Sequence, residues 1–161
     1  EHFKKSNVAP AASMNTVNIE DEDSDYEIKL WLDSADKTAY YYTEPEKVYL
    51  NENSSYMFLR TLNILDIDIS NFDTSRVTNM QNMFALYDED ISKDKLEKIY
   101  VNNDFNTSQL TFTGFFNMFR NRRKLRGGAG SFLADPSTAD KTWLRIDDPA
   151  NGRPGYFTRK S

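Results

Sequence analysis

The chain has 161 residues, a formal net charge of −5 and a mean hydropathy of −0.72, so it is long enough for one domain with a core and short for two. The negative charge argues against nucleic acid as the main partner, and the absence of cysteine excludes disulfides and thiolate chemistry. No apolar run could span a bilayer. Aromatic residues make up 14% of this polar chain, which favours an ordered domain with a high ratio of surface to core.

Residues 1–25 are predicted to be an acidic stalk or linker. Small and polar residues surround Pro10, and every position of residues 20–25 except Ser24 is a carboxylate. Such a run repels itself and stays extended. It could bind calcium weakly, but it lacks the glycine turn and the spaced glutamate of an EF-hand loop.

Residues 26–58 are predicted to form an N-terminal cap based on a β-hairpin. Apolar and polar residues alternate from Tyr26 to Leu32, turn residues follow at 33–37, and residues 38–43 are again β-prone. Pro45 ends this run, and another short strand begins at residue 48.

The middle of the chain repeats itself. The run SNFDTS at residues 70–75 recurs as NNDFNTS at residues 102–108, and the phenylalanines of the two copies are 33 residues apart. A Met-Phe pair occurs three times, and an alternating apolar run precedes each copy of the polar motif. Self-similarity at this period predicts a solenoid of stacked coils.

Each coil is predicted to contain a strand, a corner and a short helix. Apolar side chains alternate with Asp66 and Asp68 along the strand, and a capping box of Thr78 and Gln81 would begin the helix. No coil can bury its apolar face alone, so neighbouring coils must stack. The side chains expected to pack between coils are Ile67, Ile69, Phe72, Val77, Met80 and Phe84.

Residues 65–84, LDIDISNFDTSRVTNMQNMF, resemble the repeat of the BspA-like leucine-rich-repeat surface proteins of bacteria. The hallmark of that repeat is S-N-F-D-T-S-x-V-T-N-M-x-x-M-F, and this chain matches each fixed position. The segments 38–58 and 125–158 resemble the terminal units of such proteins, so the resemblance covers residues 26–161. Two departures stand out: the second copy is two residues longer before its Met-Phe pair, and the loop at residues 85–95 is extended.

The resemblance implies an α/β fold, a short leucine-rich-repeat-like solenoid in which a parallel strand ladder is combined with short helices. Its parts would be the hairpin cap at 26–58, the repeats at 59–126 and an irregular C-terminal cap at 127–161. It further implies a bacterial, cell-surface or secreted module that binds a protein or glycan and is not an enzyme, with no cofactor or metal. The alternative is a structural component of a larger surface assembly with no ligand of its own.

The start of the chain bears on membrane attachment. Because the sequence begins at Glu1 rather than at methionine, we expect any membrane anchor to lie upstream of the given residues. His2 is the only histidine and falls in the predicted stalk, which argues against histidine-based catalysis. The glycine-rich residues 127–131 lack the ending of a phosphate loop and are predicted to be a tight turn.

Three groups of side chains are candidates for a binding surface. Asp66 and Asp68 share a strand face, where they could act as acid and base or hold a cation, or could be the solvent side of the ladder. Tyr41, with its aromatic neighbours, could contact a partner or could be packed inside. A basic cluster could bind an acidic glycan, a carboxylate-rich protein or anionic lipid; it could instead pair with the acidic loop at 88–94 or stay hydrated. Its members are Arg120, Arg122, Arg123, Lys124 and Arg126.

Overall fold

The computed structural model describes residues 1–161 and contains strands and short 3-10 helices but no α-helix. The class is mixed α/β, with a mostly parallel sheet and few helices, as the sequence predicted. The 3-10 helices cover Asp88–Lys93, Pro136–Thr138, Lys141–Trp143 and Pro149–Asn151. The strands are β1 (His2–Lys5), β2 (Val17–Asn18), β3 (Lys29–Asp33), β4 (Thr38–Tyr42), β5 (Val48–Tyr49), β6 (Asp66–Asp68), β7 (Phe72–Asp73), β8 (Lys98–Val101) and β9 (Thr158–Arg159).

Seven strands form the main sheet in the order β2-β3-β4-β1-β6-β8-β9. The pairings β2–β3 and β3–β4 are antiparallel, and every other pairing of this sheet is parallel. The predicted hairpin is β3–β4, with Trp31 opposite Tyr40. A second, two-stranded parallel sheet joins β5 to β7.

The first residues of the chain are part of the sheet and are not a tether. Strand β1 lies between β4 and β6 and is parallel to both. Its Phe3 stacks on Tyr41 at 5.5 Å between ring centres and meets the edge of Phe58 at 5.1 Å. Since β2 pairs with β3 as well, the prediction of a stalk at residues 1–25 is corrected at residues 2–5 and 17–18. The physical reason is the large apolar side chain at position 3. Its burial releases more free energy than the polar stretch would gain by staying extended in solvent.

The repeated segments stack in register. The Phe58 N–H donates to the Met83 carbonyl at 2.7 Å, and the Phe84 N–H donates to the Met118 carbonyl at 3.0 Å. The rings of Phe58, Phe84 and Phe119 form a column with centres 5.5 and 5.7 Å apart and planes within 2° of parallel. Of the six side chains predicted to pack between coils, Phe72 is half-buried and the other five are buried.

The short helix predicted to begin at the capping box of Thr78 and Gln81 is absent, and turns take its place. Asn82 and the equivalent Asn117 both adopt a left-handed φ of 55°, which ends any helix. The Thr78 hydroxyl donates to the Glu52 carbonyl of the neighbouring coil at 3.1 Å instead of capping a helix. Backbone N–H groups that a helix would use internally therefore bond from one coil to the next.

Both ends of the phenylalanine column are covered. At the N-terminal end Phe3 lies over Phe58. At the other end Tyr156 packs on Phe119 at 4.7 Å between ring centres, and Phe157 lies 6.1 Å away. These covering residues come from β1 and from the segment before β9, so the two chain termini enclose the stacked turns between them.

Candidate functional site

The basic cluster does not form one surface, because Arg122 is buried in the core with 1% of its surface exposed. Its guanidinium donates to the Phe84 carbonyl at 2.6 Å and to the Thr61 hydroxyl at 2.8 Å, and it pairs with the Asp94 carboxylate at 3.3 Å. Burial lowers the pKa of Arg122, and the Asp94 charge opposes this shift. Arg122 therefore joins the segments around residues 61, 84–94 and 122, and its place on a binding surface is corrected.

The rest of the basic cluster is divided. Arg120 donates to the Asp88 carboxylate at 2.8 Å, which agrees with the alternative that the cluster pairs with the acidic loop. The Arg126 guanidinium lies 3.9 Å from the centre of the Phe132 ring. The cations that keep exposed side chains without a hydrogen-bond or ion-pair partner are Arg123 and Lys124.

Asp66 and Asp68 lie on the outer face of the ladder, and each is paired. The Asp66 carboxylate is 2.7 Å from Nδ1 of His2. Burial raises the pKa of Asp68, but hydrogen bonds from Lys160, at 2.8 Å, and Ser70 outweigh it and lower the pKa below its usual range. Neither carboxylate is free, so the interpretation as the solvent side of the ladder agrees with the structure better than an acid–base or cation site.

Tyr41 belongs to the interior and is 2% exposed. Its ring lies between Phe3, at 5.5 Å, and Phe72, at 5.7 Å. Its hydroxyl has no hydrogen-bond partner, and burial raises the pKa of this group. The expectation of a surface role for Tyr41 is therefore corrected in favour of packing.

A groove of about 970 Å³, here called the N-terminal groove, lies between the hairpin, the first coil and residues 19–26, which we call the acidic segment. Its lining is mainly apolar, and Met57 and Tyr49 keep 41% and 44% of their surfaces exposed. Apolar side chains of the groove include Phe3, Leu30, Val48, Leu50, Phe58 and Phe72.

The acidic segment is held against the groove by its own side chains. Glu20 accepts a hydrogen bond from the Ile28 N–H at 2.7 Å, and this bond lowers the pKa of Glu20. Asp21 accepts a hydrogen bond from the side-chain amide of Asn51, which lies across the groove. The segment is thus a wall of the groove and not part of a free linker.

The other carboxylates at the rim have no partner. Asp23, Asp25 and Glu52 line the groove, and their side chains make no hydrogen bond or ion pair within the protein. Arg76 is the single cation among the lining residues, and its guanidinium lies 4.4 Å from the centre of the Tyr49 ring. The groove therefore combines an apolar floor with a rim of negative charge.

A second cavity, of about 430 Å³, lies between the two copies of the polar corner motif. Residues 70–75 and 101–106 line it with hydroxyl, amide and carboxylate groups. Several of these are used internally: the Asn106 N–H donates to the Thr74 hydroxyl at 2.8 Å, and Asp104 pairs with Arg153 at 2.7 Å. This cavity is smaller and more polar than the N-terminal groove.

The glycine-rich turn binds a carboxylate of the protein itself. Asp147 accepts hydrogen bonds from the N–H groups of Ala129, Ser131 and Gly155 at 2.9, 3.0 and 3.1 Å. Gly127 is required by close approach, since a Cβ there would lie 2.5 Å from the Asp147 side chain. The predicted tight turn is present, and its amide groups are already occupied.

The groove is not predicted from the sequence, because the charge of residues 20–25 by itself indicates a solvated stalk or linker. The available signal was the apolar residue at each end of the run, Ile19 and Tyr26, followed by Ile28. All three line the groove, and they keep the intervening carboxylates at its rim. In this chain the apolar residues that flank the charge run therefore line the groove together with the run itself.

Comparisons with models of protein families, with curated proteins and with solved structures found no match to this chain. No helix of the structure has the length and apolar character needed to cross a membrane. No three or more His, Asp or Glu side chains are grouped so that they could hold a metal ion.

Proposed function

We propose that this chain is a short leucine-rich-repeat-like solenoid of the BspA-like kind, and that it serves at the bacterial cell surface as a non-catalytic module that binds a protein or glycan. The in-register stacking of the turns around Phe58, Phe84 and Phe119 supports the solenoid. The hairpin at one end and the irregular segment after residue 126 are the proposed caps.

The observation that carries the proposal is that both ends of the aromatic column are covered while the large, mainly apolar N-terminal groove stays open. Phe3 covers one end of the aromatic column, and Tyr156 with Phe157 covers the other. The covered rings leave no aromatic face of the column on which another repeat could stack, which weighs against a continuous assembly and favours a self-contained binding unit. The open groove is where a ligand would find uncovered apolar surface.

The chemistry of the cavities favours binding over catalysis. Neither cavity is lined by a histidine, so neither offers an imidazole as a general base for a nucleophile. The carboxylates of the ladder face are already engaged, Asp66 with the His2 ring and Asp68 with Lys160. These features support a site that holds a ligand without transforming it.

A binding screen tests this proposal directly. The purified chain is applied to a glycan array and to a panel of extracellular matrix and surface proteins, and every hit is titrated to saturation. We expect saturable binding to at least one class of ligand, reduced by substitution of residues that line the groove. Clean negatives in both screens would overturn the proposed function and favour the role in a larger assembly.

A further inference from the structure

We propose that the N-terminal groove binds a segment of a partner protein in which apolar side chains adjoin lysine or arginine. This inference rests on the proposed binding function and names the chemistry of the partner. It follows from three properties of the groove: its floor, its rim and the way its wall is held.

The apolar floor of the groove favours a partner with apolar side chains. Phe58 and Leu50 lie at its base as part of the core, and Met57 and Tyr49 extend from them into solvent. Exposed apolar surface in a concave site gains most when another apolar group covers it. The volume of about 970 Å³ can accommodate several side chains of a bound segment.

The carboxylates at the rim of the groove favour a partner that carries positive charge. Asp23, Asp25 and Glu52 are unpaired, while the single lining cation, Arg76, is already stacked on Tyr49. Unpaired carboxylates beside an apolar surface attract cations and raise the rate of encounter with a basic partner. The same carboxylates would repel a sulfated glycan, an anionic lipid or a nucleic acid.

The floor also disfavours a neutral glycan. Sugar hydroxyls need donors and acceptors in the floor as well as at the rim, but the floor is mainly apolar and the hydroxyl of Tyr41 is buried out of reach. Asn51 is engaged with Asp21 across the groove. A polypeptide segment with mixed apolar and basic side chains satisfies both the floor and the rim.

The wall of the groove is fixed in place before binding. Glu20 accepts a hydrogen bond from the Ile28 N–H and Asp21 accepts one from the Asn51 side-chain amide, and these bonds hold the acidic segment on the protein. The unpaired carboxylates therefore need not be ordered when the partner arrives, which lowers the entropic cost of association.

Peptide selection tests the proposal while the partner itself is unidentified. A phage-displayed library of random peptides is selected on the full chain, and the enriched peptides are synthesised. We expect enrichment of sequences in which leucine, isoleucine or aromatic residues adjoin lysine or arginine. Enrichment of acidic peptides, or of peptides without charge, would overturn the assignment.

Two double variants then locate the binding site. Asp23→Asn with Asp25→Asn removes two rim charges, and Glu89→Gln with Glu97→Gln removes two exposed, unpaired charges elsewhere. We expect the rim variant to weaken peptide binding about 3- to 10-fold at low salt, with the difference shrinking as salt is raised. The remote variant should bind as the wild type does.

A floor variant separates apolar from electrostatic recognition. Met57→Gln should weaken the same peptides about 5-fold at every salt concentration, because it removes apolar contact and leaves the charge unchanged. Peptides that bind the rim and floor variants as tightly as wild type would refute the groove as the site while leaving a binding function intact. Failure of every peptide, glycan and matrix protein to bind would instead overturn the proposed function itself.

Discussion

The acidic segment and the basic cluster look alike in sequence but differ in the folded chain. In the cluster, Arg122 is buried against Asp94 and Arg120 is paired with Asp88. In the acidic segment, Asp23 and Asp25 have no partner and border an open groove. The density of charge along the chain therefore does not report which charges are available to a ligand.

The difference arises from what lies one coil away. Arg120 and Arg122 pair with carboxylates that lie 32 and 28 residues earlier in the chain. Arg60 pairs with Asp90, which lies 30 residues later, at a distance of 2.5 Å. Each partner carboxylate comes from the extended loop at residues 85–95. That loop, which departs from the repeat pattern, supplies the counter-charges for its neighbouring segments. The single cation that lines the groove beside the acidic segment, Arg76, is instead stacked on Tyr49.

The largest expected effect comes from Arg122→Met. The substitution leaves the buried Asp94 without its cation and frees the Thr61 hydroxyl and the Phe84 carbonyl. We expect the free energy of unfolding to fall by about 3–5 kcal/mol, measured by urea denaturation.

The neighbouring cation provides the control. Arg123 is exposed and has no side-chain partner, so Arg123→Met should change the free energy of unfolding by about 0.5 kcal/mol or less. Equal effects at positions 122 and 123 would mean that the basic cluster is a surface after all, and its contrast with the acidic segment would disappear.

Phe3→Ala tests whether the N-terminal residues belong to the folded unit. Phe3 contacts Tyr41, Phe58 and Phe72, so its loss should lower the free energy of unfolding by about 3 kcal/mol. Val8, in the same segment, is 73% exposed, and Val8→Ala should have almost no effect. If both substitutions are neutral in thermal or urea unfolding, residues 1–25 are a tether and the groove loses its wall.

Asp147→Asn extends the comparison to a carboxylate that already accepts hydrogen bonds within the protein. Burial raises the pKa of Asp147, but bonds from Ser131 and other N–H groups outweigh it and lower the pKa. Its stabilisation is therefore present above the unfolded pKa of about 3.9 and is lost as pH falls through the lower folded value.

The expected loss on Asp147→Asn is about 2 kcal/mol at neutral pH, since three N–H groups lose a charged acceptor. The gap between wild type and variant should stay constant from neutral pH to about pH 5 and close as the pH falls below about 4. Glu97→Gln, at an exposed and unpaired position, is the control. A gap that persists unchanged in acid would show that the loss is not electrostatic.

Much of the interior could be predicted from the sequence, because apolar spacing reports burial whatever the backbone does. Ile67 and Ile69 alternate with carboxylates, and both lie in the core. Val77, Met80 and Phe84 are equally buried, although their helical spacing predicts a helix that the chain does not form. The apolar pattern and the copied motif were enough to place these side chains between coils.

The backbone between them could not be predicted from that spacing, because turns and helices can present the same apolar face. Asparagine at positions 82 and 117 was the overlooked signal, since it adopts left-handed φ more readily than most residues. The polar motif likewise folds as a turn in which Asp73 accepts bonds from both the N–H and the hydroxyl of Ser75. The same geometry recurs at Asn106 with Ser108.

The candidate site was harder to predict than the core, because it depends on contacts between distant segments. The insertion of β1 brings together segments more than thirty residues apart, and local patterns carry no record of it. The burial of Arg122 depends on Thr61, which is 61 residues away. Which charges of a run remain available to a ligand therefore depends on contacts between distant segments, and the sequence alone does not show these contacts.

The smallest expected effect on stability comes from the rim variant, Asp23→Asn with Asp25→Asn. Neither carboxylate has a partner to lose, and like charges nearby repel, so the free energy of unfolding should stay within about 0.5 kcal/mol of wild type and rise slightly at low salt. Urea denaturation at low and high salt measures this, with Glu89→Gln and Glu97→Gln as the matched pair. A marked loss of stability would show that the carboxylates of the acidic segment, like the cations of the basic cluster, are engaged in contacts within the protein. Unchanged stability combined with weaker peptide binding would separate these charges from folding and assign them to recognition.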